Sequence, residues 1–439
     1  MKPRFDKRYI PVRGAVLSLL VLGMLLGGVW MRSAHRAPPI TAARGSPDSV
    51  ARKTGPEPRR RGSGGDAPAR GAAADCASTL RTLQAGAGSP AGEQRLAALS
   101  RKLLAQPDER SRALGLVLAE REGPAEPASQ VPCLSLADCS NSPLTPQALA
   151  ARAALVKLAL TTADPDTYVI ATTACAGTVG GGAAQACSML SFERLAQIEP
   201  DNAYPWLEIA ARAAERGDAT GQYLAMYQAS QASRLETHFF ALPRALQTDA
   251  FRSEPVAARF LDEIDLIGIG AARPSRYLAS TMNYCGSGAP GKRGPVQDPV
   301  RLPICSALAE LFVAQTSSLQ DRSIGTKLGE RVGWPSERVA ALRDDYQALM
   351  TAASVRFYNL IPSDGESASI CENVARQERE LDQQFELGEI GSMLRWIAAD
   401  GRSRTELAAQ AQTDLAAQRE KALREMPLLG DAAAPAASP

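Results

Sequence analysis

The chain has 439 residues, enough to bury a sizeable core in one or two domains. Lys and Arg total 49 against 47 Asp and Glu, and the formal net charge of +2 excludes nucleic-acid binding by bulk electrostatics. Aromatic residues make up only 5% of the chain while alanine is abundant, a balance that favours close-packed helices over a β-sandwich.

Residues 1–13 form a basic leader, with Lys2, Arg4, Lys7, Arg8 and Arg13 against Asp6 alone. Residues 14–31 follow as GAVLSLLVLGMLLGGVWM, without charge or proline. As a helix rising about 1.5 Å per residue, this run reaches roughly 27 Å, close to the ~30 Å of a bilayer's hydrocarbon core. Positive charge resists translocation, so the N-terminus is expected in the cytoplasm and the remaining chain on the far side. A cleaved signal peptide is the other reading, with an apolar core of about 7–15 residues before a small-x-small site. Here the run is longer and ends in Val29, Trp30, Met31 and Arg32, which favours a retained anchor. The setting so implied is a bacterial inner membrane with the main domain in the periplasm.

Residues 32–75 are mostly Pro, Gly, Ala and Arg, with too few large apolar side chains to offset the entropy of ordering, and read as a disordered basic tether. Residues 428–439 form a second Ala/Pro tail. Between them, residues 76–427 read as one helical domain with a possible sub-boundary near 286–296.

Helical spacing dominates that domain. Leu96, Leu99, Leu103 and Leu104 predict a helix over 91–105, and Pro107 and Asp108 open the next, through Leu114 and Leu118 to Gly123. Thr145 followed by Pro146 is an N-cap with proline at the first helical position, and Asp164 with Pro165 repeats the signal for a helix that fails at Gly180–Gly181–Gly182. Ser253 is read as the cap of a helix reaching Ile267, with Val256, Phe260 and Ile264 on one face. Further helices are predicted around 306–320, 336–357 and 371–396. No alternating strand pattern occurs, so the fold class is all-α.

Residues 183–234 carry a more specific pattern. Glu199–Pro200–Asp201–Asn202 separates two helices, and Tyr204, Trp206, Ile209, Ala210 and Ala213 follow. Gly217–Asp218 turns the chain, Met226 and Ala229 lie on the return helix, and Phe192 precedes Pro200 in the helix before. This pattern resembles the tetratricopeptide repeat over about one and a half units. It departs at Gln222, where the repeat has a small residue, and at Arg234, where it has a closing proline. The resemblance implies repeat-like helical hairpins, an irregular α-solenoid with a concave face that binds peptides or proteins. Tyr204, Trp206, Tyr223 and Tyr227 are the candidate contact residues, Trp206 fitting equally as the core aromatic of the repeat.

All eight cysteines follow the apolar run, an even count that in an exported region reads as a disulfide framework. Carrying the repeat register back one unit places Cys175 and Cys187 on facing helices and implies a bond between them. Cys285 and Cys305 bracket the loop GSGAPGKRGP and are read as its staple. Cys133 with Cys139 would close a small loop, which leaves Cys76 for Cys371.

Chemistry-bearing motifs are scarce. Walker, GxSxG, HExxH and SxxK patterns are missing, and Gly268-x-Gly270 lacks a third glycine. Cys285–Gly286–Ser287 is similar to a cysteine-protease nucleophile segment, but a thiolate needs a histidine base and His238 is the sole candidate in the domain. His238 itself reads as a packed or surface residue ending the repeat. Asp262, Glu263 and Asp265, Asp344–Asp345 and Glu378–Glu380 offer clustered carboxylates, with Arg259 or Arg343 to neutralise them. Such pairs hydrolyse glycosides only at a fixed separation in a cleft. No cofactor and no metal is expected. The expected partners are the membrane and another envelope protein, not nucleic acid. A scaffold or assembly role leads, with a cell-wall-directed hydrolase using paired carboxylates as the alternative.

Overall fold

The computed structural model describes residue 78 and residues 90–120, 145–176, 181–271, 275–286, 294–358 and 367–425, all within the unit Asp75–Pro439. Among the described residues the chain is all-α, with no strand beyond two isolated bridges, Asn202 to Arg234 and Leu235 to Thr316. No described helix is long and apolar enough to cross a membrane. The expected anchor at 14–31, the leader, the tether and the tail lie outside the described residues.

Short polar side chains start the N-terminal helices where the sequence places them. Helix α1 spans Pro90–Leu104 and α2 spans Glu109–Glu120. Asp108 Oδ1 accepts the Ser111 N–H at 2.8 Å, satisfying a backbone donor that α2 cannot. Thr145 Oγ1 does the same for Ala148 at the start of α3 (Pro146–Thr161), and Asp164 Oδ2 for Thr167 at α4 (Pro165–Ala174). Helix α4 ends at Ala174, earlier than expected, and Gly181 begins α5 (Gly181–Cys187) instead of breaking a helix. The Cys175–Cys187 bond, with Cα atoms 5.5 Å apart, closes this hairpin.

Helix α6 (Phe192–Ile198) leads into α7 (Ala203–Glu215) and α8 (Ala219–Gln231). Asn202 organises this region, being fully buried. Its Oδ1 accepts the N–H groups of Tyr204 at 3.2 Å and Glu236 at 3.0 Å, while Nδ2 donates to the Glu236 carbonyl at 2.8 Å. One amide therefore starts α7 and ties the chain after α8 back to it. Gly217, at φ 73°, makes the turn between α7 and α8, and Leu207, Ala210, Met226 and Ala229 are buried between them and their neighbours.

Two short helices, α9 (Ala241–Arg244) and α10 (Asp249–Arg252), precede α11 (Val256–Ala271) and α12 (Arg276–Tyr284). Ser253 closes α10 and does not open α11, which begins after Pro255. The face of α11 is also rotated from expectation. Its fully buried positions are Ala257, Ala258, Asp262, Glu263 and Leu266, whereas Val256, Phe260 and Ile264 are half-buried. Apolar spacing misreads this helix because two carboxylates occupy its inner face.

Helix α13 (Arg301–Ala314) is joined to α12 by the Cys285–Cys305 bond, Cα atoms 5.7 Å apart. The helix expected over 306–320 is two helices. Leu235 donates to the Gln315 carbonyl at 3.1 Å, drawing the chain out of helix, and Ser318 then caps α14 (Leu319–Arg331). Helices α15 (Ser336–Tyr358), α16 (Ser367–Asp400) and α17 (Arg404–Glu425) complete the described chain. Cys371, at the start of α16, is also disulfide-bonded. Cys76, Cys133 and Cys139, and with them the Cys76–Cys371 and Cys133–Cys139 expectations, involve residues outside the described ones.

One apolar core joins residues from Leu99 to Leu328, Cys285 and Val296 among them, while residues 287–293 of the possible sub-boundary lie outside the described ones. A second core takes over at Leu319, joining Ala348, Leu349, Ala352, Ile390, Met393, Trp396, Ile397 and Leu407 from α15, α16 and α17. Helix α16 packs against α11 in its first half and enters the second core in its second. It turns at Gly388, whose φ of 73° no other residue adopts without strain. A Cβ there would also lie 2.9 Å from that of Ser317.

Candidate functional site

The four aromatic residues singled out in the sequence separate into two groups. Tyr204 is 1% exposed and belongs to the core, edge-on to Phe192 at 5.8 Å and to Tyr277 at 5.5 Å. Trp206 is half-buried against the same core. Tyr223 and Tyr227 are exposed on α8, one turn apart, with Leu224 beside them 55% exposed. Thr220, Gln228 and Gln231 complete this outer face, and α8 carries no charged residue. A row of aromatic, aliphatic and amide groups without charge is costly to leave in water, and such composition suits the centre of a protein interface.

His238 is a packed residue and not a surface one. It is 5% exposed and holds a positive φ of 54°, uncommon for a residue with a Cβ. Nδ1 lies 2.6 Å from Asp166 Oδ1, and Nε2 lies 3.0 and 3.1 Å from the two carboxylate oxygens of Glu199. Carboxylates only accept, so both ring nitrogens carry hydrogen and the ring is an imidazolium. Burial pulls its pKa down, but the bonds to Asp166 and Glu199 overcome that and raise it to about 9. Asp166 is pushed up by burial and brought below the usual aspartate range by His238, Arg244 and Arg110.

The network reaches outward through ordered arginines. Arg110 joins Asp164 at 2.5 Å and Asp166 at 3.3 Å, Arg234 joins Glu199 at 2.9 Å and Asp201 at 3.0 Å, and Arg244 joins Asp166 at 3.3 Å. Arg234, which departs from the repeat pattern, is thus the residue that closes the α7–α8 hairpin electrostatically. A cavity of about 10 Å³ beside Thr173, His238, Phe239, Leu242 and Gly270 has room for one water and no substrate.

The candidate carboxylates converge, though not as a catalytic pair in solvent. Asp262 pairs with Arg95 of α1 at 2.6 Å, and Arg259 pairs with Glu378. Asp382 accepts from Gln247 at 3.0 Å. Glu263 sits among these groups with 0% exposure and neither carboxyl oxygen partnered. Burial, then the like charges of Asp382 and Glu378, push its pKa up to about 9, and burial alone leads the rise of Asp262 to about 6. Glu263 therefore stands at neutral pH as an uncharged acid, out of reach of a substrate. Of the other acidic runs, Asp345 is held by Arg322 at 2.6 Å, and Glu380 accepts from the Trp396 indole at 2.5 Å. Among the described residues no group of His, Cys, Asp and Glu could hold a metal ion.

Sequence reasoning missed Asp166 and Glu199 as partners of His238. Glu199 reads only as part of a turn, and Asp166 is not singled out at all. Their pairing spans 72 and 39 residues and leaves no local signal. The fold and these sites define an all-α domain of disulfide-closed helical hairpins carrying two buried charge clusters. No known protein family matches the chain, and no curated relative and no solved structure matches it.

Proposed function

We propose that this chain is a single-pass, membrane-anchored bacterial envelope protein whose helical domain lies in the periplasm and binds another envelope protein, as a scaffold or assembly factor. The observation that carries the reading is the closure of the Cys175–Cys187 and Cys285–Cys305 pairs, with no free cysteine among the described residues, behind an apolar run of membrane-spanning length. Disulfides of this kind persist in oxidising compartments. The binding surface is the uncharged outer face of α8, with Tyr223, Leu224 and Tyr227 as its anchors. The likeness of α7 and α8 to a tetratricopeptide hairpin supports a role in protein recognition.

The test joins topology to binding. A reporter active only outside the cytoplasm, fused after residue 427, should be active, and peptide mapping without reductant should recover both disulfides. A photo-crosslinking residue at position 227 should then trap one envelope protein, and Y223S/Y227S should lose it while keeping its fold. Free thiols in the native chain, or a trapped partner indifferent to both tyrosines, would overturn the proposal.

A further inference from the structure

Helix α16 packs against α11 before Gly388 and enters the second core after it, so its two halves are held differently. Beyond Gly388, Ile390 donates to the Ser317 carbonyl at 3.0 Å, Glu389 accepts the Leu319 N–H at 2.9 Å, and Met393, Trp396 and Ile397 enter the second core. Before Gly388, the helix lies along α11 with Val374, Leu381 and Phe385 buried, Phe385 meeting Phe240 at 5.5 Å. In the middle of that contact stands Glu263, fully buried with both oxygens unpartnered.

An ionised carboxylate without a hydrogen bond cannot stay in such a place. The groups around it make matters worse: Glu378 and Asp382 face it from α16, and Asp262 precedes it on α11. Among the described residues, Arg259 is the cation set against this, and it is already paired with Glu378, as Arg95 of α1 is with Asp262. Arg244 of α9 is turned toward Asp166 and Glu236. Placing a proton on Glu263 removes the conflict, and removing it leaves a buried anion among anions.

We infer that the first half of α16 is a proton-held strap, docked on α11 only while the carboxyl of Glu263 is protonated and released when that group ionises. Release exposes Glu263 and returns it to the ordinary glutamate value of 4.5, below the value of about 9 that it has when docked. Docking is therefore strongest in acid and weakens progressively as pH rises from 4.5 to about 9. Gly388, free to take other backbone angles, is where the two halves part, and the second half stays in its own core.

Amide hydrogen exchange on the full chain tests this. The protection factors of residues 371–387 should fall about tenfold per pH unit, the slope of a single proton, as pH rises from the ordinary glutamate value of 4.5 toward about 9, and level off above that. In E263Q, where an uncharged amide replaces the acid, those residues should stay protected through pH 10.5. His238 loses its proton in the same range, so the variant decides and not the wild-type profile alone. Should E263Q fail to fold, infrared spectroscopy of the native chain decides. A protonated carboxyl carbonyl band present at pH 8, disappearing together with α16 protection, supports the strap. Equal loss of protection in wild type and E263Q, or no protonated carboxyl at pH 8, overturns it.

Discussion

His238 and Glu263 are both buried, both hold a proton well above their ordinary range, and hold it for opposite reasons. Around His238 the protein supplies two carboxylates within 3.1 Å, so the charged form is bound and the neutral form would leave Asp166 and Glu199 facing each other. Around Glu263 it supplies Asp382 and Glu378, so the charged form is expelled and the neutral form tolerated. Desolvation opposes the proton in the first site and favours it in the second. A buried charge is stabilising only when its neighbours were placed for it. The first cluster is a finished network, and the second is a joint under tension.

Removing each group should therefore shift stability in opposite directions. His238→Ala leaves two buried carboxylates without their common partner and should cost about 3–5 kcal/mol in urea denaturation at neutral pH. A variant as stable as wild type would mean that the network contributes nothing beyond its own desolvation.

The pH profile carries the same contrast. His238 is raised above 6.5, so its contribution is complete below that value and disappears as pH rises through about 9. Glu263 is raised above 4.5, so its cost is nil below that value and grows through the same range. Asp166 is lowered, so its contribution is present above the ordinary aspartate value and fails in strong acid. The denaturation midpoint should accordingly peak on the acid side of neutrality and decline toward pH 10, and H238A and E263Q should each flatten the decline.

At pH 8, E263Q should raise stability by about 1–3 kcal/mol, since the folded state no longer has to protonate a carboxylate that the unfolded state leaves ionised. At pH 4 the difference should vanish. Loss of stability at pH 8 would show that the carboxyl has a partner the geometry does not reveal.

The two clusters also differ from the parts of the fold that the sequence displays. Caps at Asp108, Thr145 and Asp164 are legible because each acts on a backbone N–H three residues away. The Cys285–Cys305 staple is legible because its loop is rich in Gly and Pro. Helix α11 is misread because periodicity assumes that apolar residues face inward, and Asp262 and Glu263 do so instead. The like charges that press on Glu263 lie on α16, more than a hundred residues along the chain, and no local pattern predicts that contact. Helix 319–331 is passed over because α13 and α14 are divided by long-range bonds to Leu235, not by a glycine or proline. Departures of this kind concentrate where local preference and the global fold conflict, which is where function and strain accumulate.

The smallest expected effect separates the two regions most cleanly. Gly388 sits at φ 73° with Ser317 against it, and Gly388→Ala meets both a disfavoured backbone angle and a contact tighter than side chains allow. The left-handed conformation costs a residue with a Cβ about 1–2 kcal/mol. That strain falls between the halves of α16 and reaches the His238 network only at second hand, through the bond from Ser317 to Glu236. Hydrogen exchange in G388A should therefore quicken in residues 371–400 and leave α4 and α7 as protected as in wild type. If the His238 helices loosen in step, the cores do not open separately, and Gly388 is a bend within a single cooperative unit and not a hinge between two.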